Sequence, residues 1–168
     1  MSRYGIEIEF AANLGTGSWL RERVEELGFH VGTDRTAGLI GKKGYEVRHQ
    51  TPVMWNENSI NCLRQTLNYI KQRGVRVHKM CGLHFHFSGF GKINEPLFTK
   101  LATNNRTSNW KSRSSYCTNS LSTKYRVIRH ISYDHYECRI FNGTLSLRAI
   151  CKYQERMEKW IMGSCLDI

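Results

Sequence analysis

Hydrophobic and polar positions alternate from Tyr4 to Phe10, placing Ile6, Ile8 and Phe10 on one side and Glu7 and Glu9 on the other. A period of two predicts a half-buried strand. The alternation returns in Val75 to His78, Leu83 to Phe87, Tyr125 to Ile131 and Tyr136 to Phe141. In the second of these, His84, His86 and Ser88 stand opposite Leu83, Phe85 and Phe87. A turn over Gly41-Lys42-Lys43-Gly44 sets off a further strand, Tyr45 to His49, with Glu46 and Arg48 on one face. Helical spacing governs the rest. Leu20, Val24 and Leu27 follow an N-cap at Ser18 and stop at Gly28, and Ile60, Leu63, Leu67 and Ile70 lie within Glu57 to Arg73 ahead of Gly74. Pro96 opens a short helix through Leu97, Phe98 and Leu101, and Ile150, Tyr153, Met157, Trp160 and Ile161 mark a closing helix from Leu147 to Met162.

Runs of strands separated by helices, with hairpin-length gaps, predict the α+β class: a mainly antiparallel, curved sheet with helices on one face. The 168 residues suit a single domain, residues 1–168. The segment Thr103 to Thr123 is rich in Ser, Thr, Asn, Lys and Arg, and reads as a basic excursion from this core.

Composition narrows the function classes. No apolar run approaches the roughly 20 residues of a membrane span, which excludes an integral membrane protein. The start Met-Ser-Arg-Tyr-Gly has no basic and then apolar leader, so a cytoplasmic location is expected. Cys62, Cys81, Cys117, Cys138, Cys151 and Cys165 stand singly, which argues against a zinc ribbon or disulfide framework and for reduced, mostly core cysteines. Twenty-five Lys and Arg against fourteen Asp and Glu give a net charge of +11, pointing to a polyanionic partner: nucleic acid, nucleotide phosphates or an acidic substrate.

The chemistry lies in four pairs of polar residues spaced two apart: Glu7 and Glu9, Glu46 and Arg48, His84 and His86, Glu137 and Arg139. Period two aims each pair at one face, and if the apolar residues between them face helices, all four pairs line the opposite, solvent-facing side of the sheet. Clustered carboxylates repel unless positive charge separates them, and a divalent ion supplies that charge compactly. A majority of Glu among the donors favours Mg²⁺ or Mn²⁺ over zinc. Arg139 makes a poor neighbour for a cation unless an anion sits between them, and a nucleotide phosphate is such an anion. The arrangement points to phosphoryl transfer.

Three of these motifs, in order, carry a resemblance: Gly5-Ile6-Glu7-Ile8-Glu9, Cys81-Gly82-Leu83-His84-Phe85-His86-Phe87-Ser88, and Glu137-Cys138-Arg139-Ile140-Phe141-Asn142-Gly143-Thr144-Leu145. Together they resemble the amidoligase family of the glutamine synthetase and glutamate-cysteine ligase superfamily of carboxylate-amine ligases. The resemblance covers most of the chain. It implies a fold like the glutamine synthetase catalytic domain and an ADP-forming activity in which a carboxylate attacks the γ-phosphate of ATP and an amine displaces the resulting acyl phosphate. By the same resemblance Glu7, His84 and Glu137 hold one metal ion, Glu9 belongs to a second that Glu46 completes, His86 and Arg139 contact phosphates, and Ser88 reaches the nucleotide. Arg106 or Arg113, ahead of Tyr116-Cys117, would steady the acyl phosphate. The chain departs from the pattern at Asp34-Arg35-Thr36, where relatives often read Asp-Gly-Ser, and it starts at the strand bearing Glu7 and Glu9, so a primary amine is expected in place of ammonia. Amino acids or peptides are the expected carboxylate and amine substrates.

Other readings remain open at this level. Gly41-Lys42-Lys43 lacks the glycine and hydroxyl positions of a phosphate loop, so a P-loop NTPase is rejected. Arg106, Lys111, Arg113, Lys124, Arg126 and Arg129, interleaved with Trp110, Tyr116 and Tyr125, fit a nucleic-acid-binding module. A zinc metallohydrolase using the same Glu and His residues, and a degenerate ligase that binds nucleotide without turnover, complete the set.

Overall fold

The computed structural model describes residues 1–104 and 127–165. Six strands are formed by β1 (Arg3–Ala12), β2 (Phe29–Thr33), β3 (Lys43–His49), β4 (Gly82–Ser88), β5 (Ile128–Ser132) and β6 (His135–Asn142). Four helices lie between and after them: α1 (Thr16–Val24), α2 (Glu57–Lys71), α3 (Glu95–Asn104) and α4 (Leu147–Met162). The strands make one sheet in the order β2-β3-β1-β4-β6-β5, every neighbouring pair antiparallel. This is the α+β arrangement that the alternation predicts.

One face of the sheet is apolar. Ile6, Ile8 and Phe10 of β1 are at most 1% exposed, as are Leu83 and Phe85 of β4. They meet Leu20 of α1, Leu63 and Leu67 of α2, Phe98 of α3 and Met157 of α4 in a single core. Phe141 of β6 stacks between Tyr153 and Trp160 of α4, with ring centroids 4.5 and 5.9 Å away. Burying each such ring contributes on the order of 2–3 kcal/mol, so this apolar face fixes which way every strand turns its polar residues.

Local chemistry places most of the elements where the periodicity puts them, and the differences have physical causes. Asn56 and Ser59 form a reciprocal capping box, each side chain accepting from the other's backbone N–H at 3.0 Å, which starts α2 at Glu57. Helix α1 begins two residues before Ser18, because Gly15 takes a φ of 81° that lets the chain leave β1 in a tight turn, and the Ser18 hydroxyl instead donates to the Gly15 carbonyl. Strand β2 escapes the alternation test, being five residues long with Gly32 within it, and is held by pairing along β3. The expected strand Val75 to His78 shrinks to one bridge in which Ala11 and Arg76 exchange backbone hydrogen bonds at 2.9 Å, because β4 takes the rest of that edge of β1. The excursion Thr103 to Thr123 and residues 125–126 of the expected fifth strand fall largely outside the described residues. Among the described cysteines Cys81 and Cys138 are buried and Cys62, Cys151 and Cys165 half-buried. No described helix is long and apolar enough to cross a membrane.

Candidate metal centre

The strand register builds the site. Glu7 lies directly opposite Arg48 on β3 and His84 on β4, Glu9 opposite Glu46, and His86 between Gly5 and Glu137. A bulge shapes the β4–β6 pairing: Phe85 faces Cys138 but Leu83 faces Phe141, so two residues of β6, Arg139 and Ile140, lie opposite His84 alone. The bulge keeps Cys138 and Phe141 both on the apolar side while Glu137 and Arg139 join the polar row.

His84 is the hub. Its Nδ1 lies 2.9 Å from Glu7 Oε1 and 3.6 Å from Glu137 Oε1, and its Nε2 lies 3.4 Å from Glu9 Oε1. Glu9 Oε2 accepts from the Gly82 backbone N–H at 2.6 Å, which pins that carboxyl over the first residue of β4. His86 Nε2 stands 3.6 Å from Glu7 Oε2. Arg139 donates through Nη1 to Glu137 Oε1, and Arg129 Nη1 stands 3.8 Å from Glu137 Oε2. The Nε of Arg139 is buried and has no hydrogen-bond partner among the described residues.

The expectation of a solvent-facing cluster is corrected here. Glu9, His84 and Glu137 are 4%, 2% and 3% exposed, because each side chain leans across a neighbouring strand and is shielded by the next in the row. Such burial is costly for acidic groups unless they are partnered. Burial by itself would raise the Glu7 carboxyl, but the hydrogen bond with His84 at 2.9 Å and the proximity of the His86 imidazole outweigh it and hold Glu7 well below the usual carboxylate range. Glu46 moves the other way, raised by burial and by the charge of Glu7, with Arg48 at 3.6 Å opposing the rise. His135 is lowered, first by burial and then by His86.

Among the described residues two groups of three donors result: Glu7, Glu9 and His84, and Glu7, His86 and Glu137, each with ligand atoms within 4.8 Å of one another. Three carboxylates and two imidazoles form an oxygen-rich donor set suited to Mg²⁺ or Mn²⁺. Glu46 joins neither group; its carboxylate occupies the space over Gly32, where an added Cβ would come within 2.7 Å of Oε1, and pairs with the half-exposed Arg48. Ser88 sits at the far end of β4, opposite Arg3 and outside both groups. Asp34 closes a local turn, its Oδ1 accepting from the backbone N–H and the hydroxyl of Thr36 at 2.7 Å each. Arg106 and Arg113 lie outside the described residues, as do all of the basic and aromatic residues named for nucleic-acid binding except Arg129.

Sequence reasoning misses His135. The ring Nε2 lies 3.2 Å from His86 Nδ1. The alternation that selects Glu137 and Arg139 reaches His135 when carried one step back, since β6 begins there and not at Tyr136. Between the ends of β3 and β4 a cavity of about 220 Å³ opens beside this pair, lined by Gly5, Glu7, Arg48, His49, Gln50 and His86 among others. No family model matches the chain, and no curated protein or solved structure matches it.

Proposed function

We propose that the chain is an ATP-dependent carboxylate-amine ligase of the amidoligase kind, with a fold like the glutamine synthetase catalytic domain. The observation that carries the reading is the sharing of Glu7 between two three-donor groups with Arg139 alongside. Attack of a carboxylate on the γ-phosphorus of ATP brings anion to anion, so it needs concentrated positive charge fixed in place beforehand.

Divalent ions, when bound, supply that charge and draw the phosphate oxygens together. The chain's own residues do the rest. Glu137 fixes one guanidinium nitrogen of Arg139 and so sets the plane in which the guanidinium would meet phosphoryl oxygens. His84 Nδ1 meets Glu7 at 2.9 Å and the Gly82 N–H holds Glu9 at 2.6 Å, so these side chains are positioned by contacts within the sheet. The γ-phosphoryl passes to the substrate carboxylate with ADP leaving, and an amine then displaces phosphate from the acyl phosphate, losing its proton to solvent as the amide forms. The 220 Å³ cavity beside Glu7 has room for a substrate of amino-acid size.

The test is to incubate the protein with ATP, Mg²⁺ and pools of amino acids, polyamines or peptides, and to follow nucleotide, phosphate and amide. ADP, phosphate and a new amide in equal amounts support the reading. Bond hydrolysis without ATP, restored by Zn²⁺, points instead to a metallohydrolase.

A further inference from the structure

His135 has no part in the reading above, yet it makes the nearest polar contact of His86, Nε2 to Nδ1 at 3.2 Å, with the two ring centroids 5.3 Å apart. It is held from both sides. Its neighbour Asp134 accepts from the Gly89 backbone N–H at 2.8 Å, and the Tyr136 hydroxyl accepts from the Ile93 N–H at 3.1 Å. These contacts tie the β5–β6 hairpin to the segment that follows β4, the strand carrying His86.

A hydrogen bond between two imidazoles needs a proton on one nitrogen and a lone pair on the other. The other ring nitrogen of His86, Nε2, is 3.6 Å from Glu7 Oε2, beyond the reach of a normal hydrogen bond. A proton there would have no good acceptor and would face the Glu7–Glu137 group with the wrong polarity for a cation. A proton on Nδ1 has His135 as its acceptor and leaves the Nε2 lone pair directed at that group. An imidazole that binds a metal through one nitrogen commonly donates its other N–H to a fixed acceptor, which sets both tautomer and ring orientation.

We infer that His135 is a positioning residue: it accepts the Nδ1–H of His86 and so makes His86 Nε2 the third donor, with Glu7 and Glu137, of a second cation site. This rests on the cation cluster of the proposed reading but departs from the resemblance, which gives His86 to phosphate.

The experiment compares wild type, His135→Gln and His135→Leu. Mn²⁺ binding is measured by calorimetry without nucleotide, thermal unfolding is measured on the metal-free proteins, and the ring nitrogens of ¹⁵N-histidine-labelled, Mg²⁺-loaded protein are read by NMR. Glutamine can still accept the Nδ1–H and should keep wild-type Mn²⁺ affinity at the site of Glu7, His86 and Glu137. Leucine cannot, and should weaken that site on the order of 10- to 100-fold while metal-free unfolding stays within a degree or two of wild type. His86 should carry its proton on Nδ1 in wild type and His135→Gln. A His86 proton on Nε2 in the Mg²⁺-loaded wild type, or equal Mn²⁺ affinity in wild type and His135→Leu, overturns the inference and leaves the ligase reading standing. Absence of any Mn²⁺ binding by wild type overturns both.

Discussion

Arg139 presents a nearly buried guanidinium with one nitrogen fixed by Glu137 and its Nε without a partner among the described residues, an arrangement that is costly unless an anion completes it. If that anion is the transferring phosphoryl group, Arg139→Lys keeps the charge and loses the planar fork. The expected result is a fall in kcat of about 10²-fold with little change in Tm, both measured on one preparation. A lowered Tm with unchanged kcat would make Arg139 a structural residue. His49 gives a second prediction at this scale. Its Nδ1 accepts the Ile6 backbone N–H at 2.9 Å, and burial pushes its pKa down to about 4. The folded protein thus prefers neutral His49, so its contribution to stability is complete above pH about 6.5 and is lost as pH falls toward 4, amounting to roughly 3 kcal/mol. Asparagine can accept the same N–H without titrating. Urea unfolding from pH 7 to 4.5 should therefore fall less steeply for His49→Asn than for wild type, and parallel curves would remove His49 as the cause.

At the scale of elements, the β2–β3 hairpin is closed by a backbone contact that only glycine permits. A Cβ on Gly44 would come within 1.8 Å of the Asp34 carbonyl oxygen and 2.5 Å of the Gly38 nitrogen, neither of which is the end of a flexible side chain. Gly44→Ala must then open the hairpin base, and a loss of more than about 3 kcal/mol is expected from denaturant midpoints. Gly44 pairs with Ala11 and Glu46 with Glu9, so the damage passes along β3 into the polar row. The β4–β6 bulge acts at the same scale. By setting two residues of β6 against one of β4 just past Glu137 and Cys138, it turns Phe141 back to the apolar side and keeps it in place against α4.

Over the whole molecule, the helices bury one face of the sheet and the other carries the acidic and imidazole row. Burial and the charge of Glu7 raise the Glu46 carboxyl, which reports acidic repulsion across that row. A divalent ion that binds only the folded chain relieves it and stabilises by about 2.7 kcal/mol at one hundred times its dissociation constant. Mg²⁺ or Mn²⁺ should raise Tm by several degrees, EDTA should reverse the rise, and Glu7→Gln, which alters both donor groups at once, should abolish most of it. A Tm indifferent to divalent ions in wild type would count against the cation site.

The sequence by itself determined the amphipathic elements and the face on which Glu7, Glu9, His84, His86, Glu137 and Arg139 lie, because a period of two or 3.6 is a local property of the chain. It could not show that β1 sits between β3 and β4, that Glu7 is opposite His84, or that β6 carries a bulge, because backbone pairing is chemically generic and its register follows from how the whole apolar face packs. Burial of Glu9, His84 and Glu137, the exclusion of Glu46 from the donor groups and the contact of His135 with His86 were decided only by the tertiary structure. Each depends on which side chains lean across which neighbouring strand, over sequence separations of 49 to 77 residues that no local pattern spans.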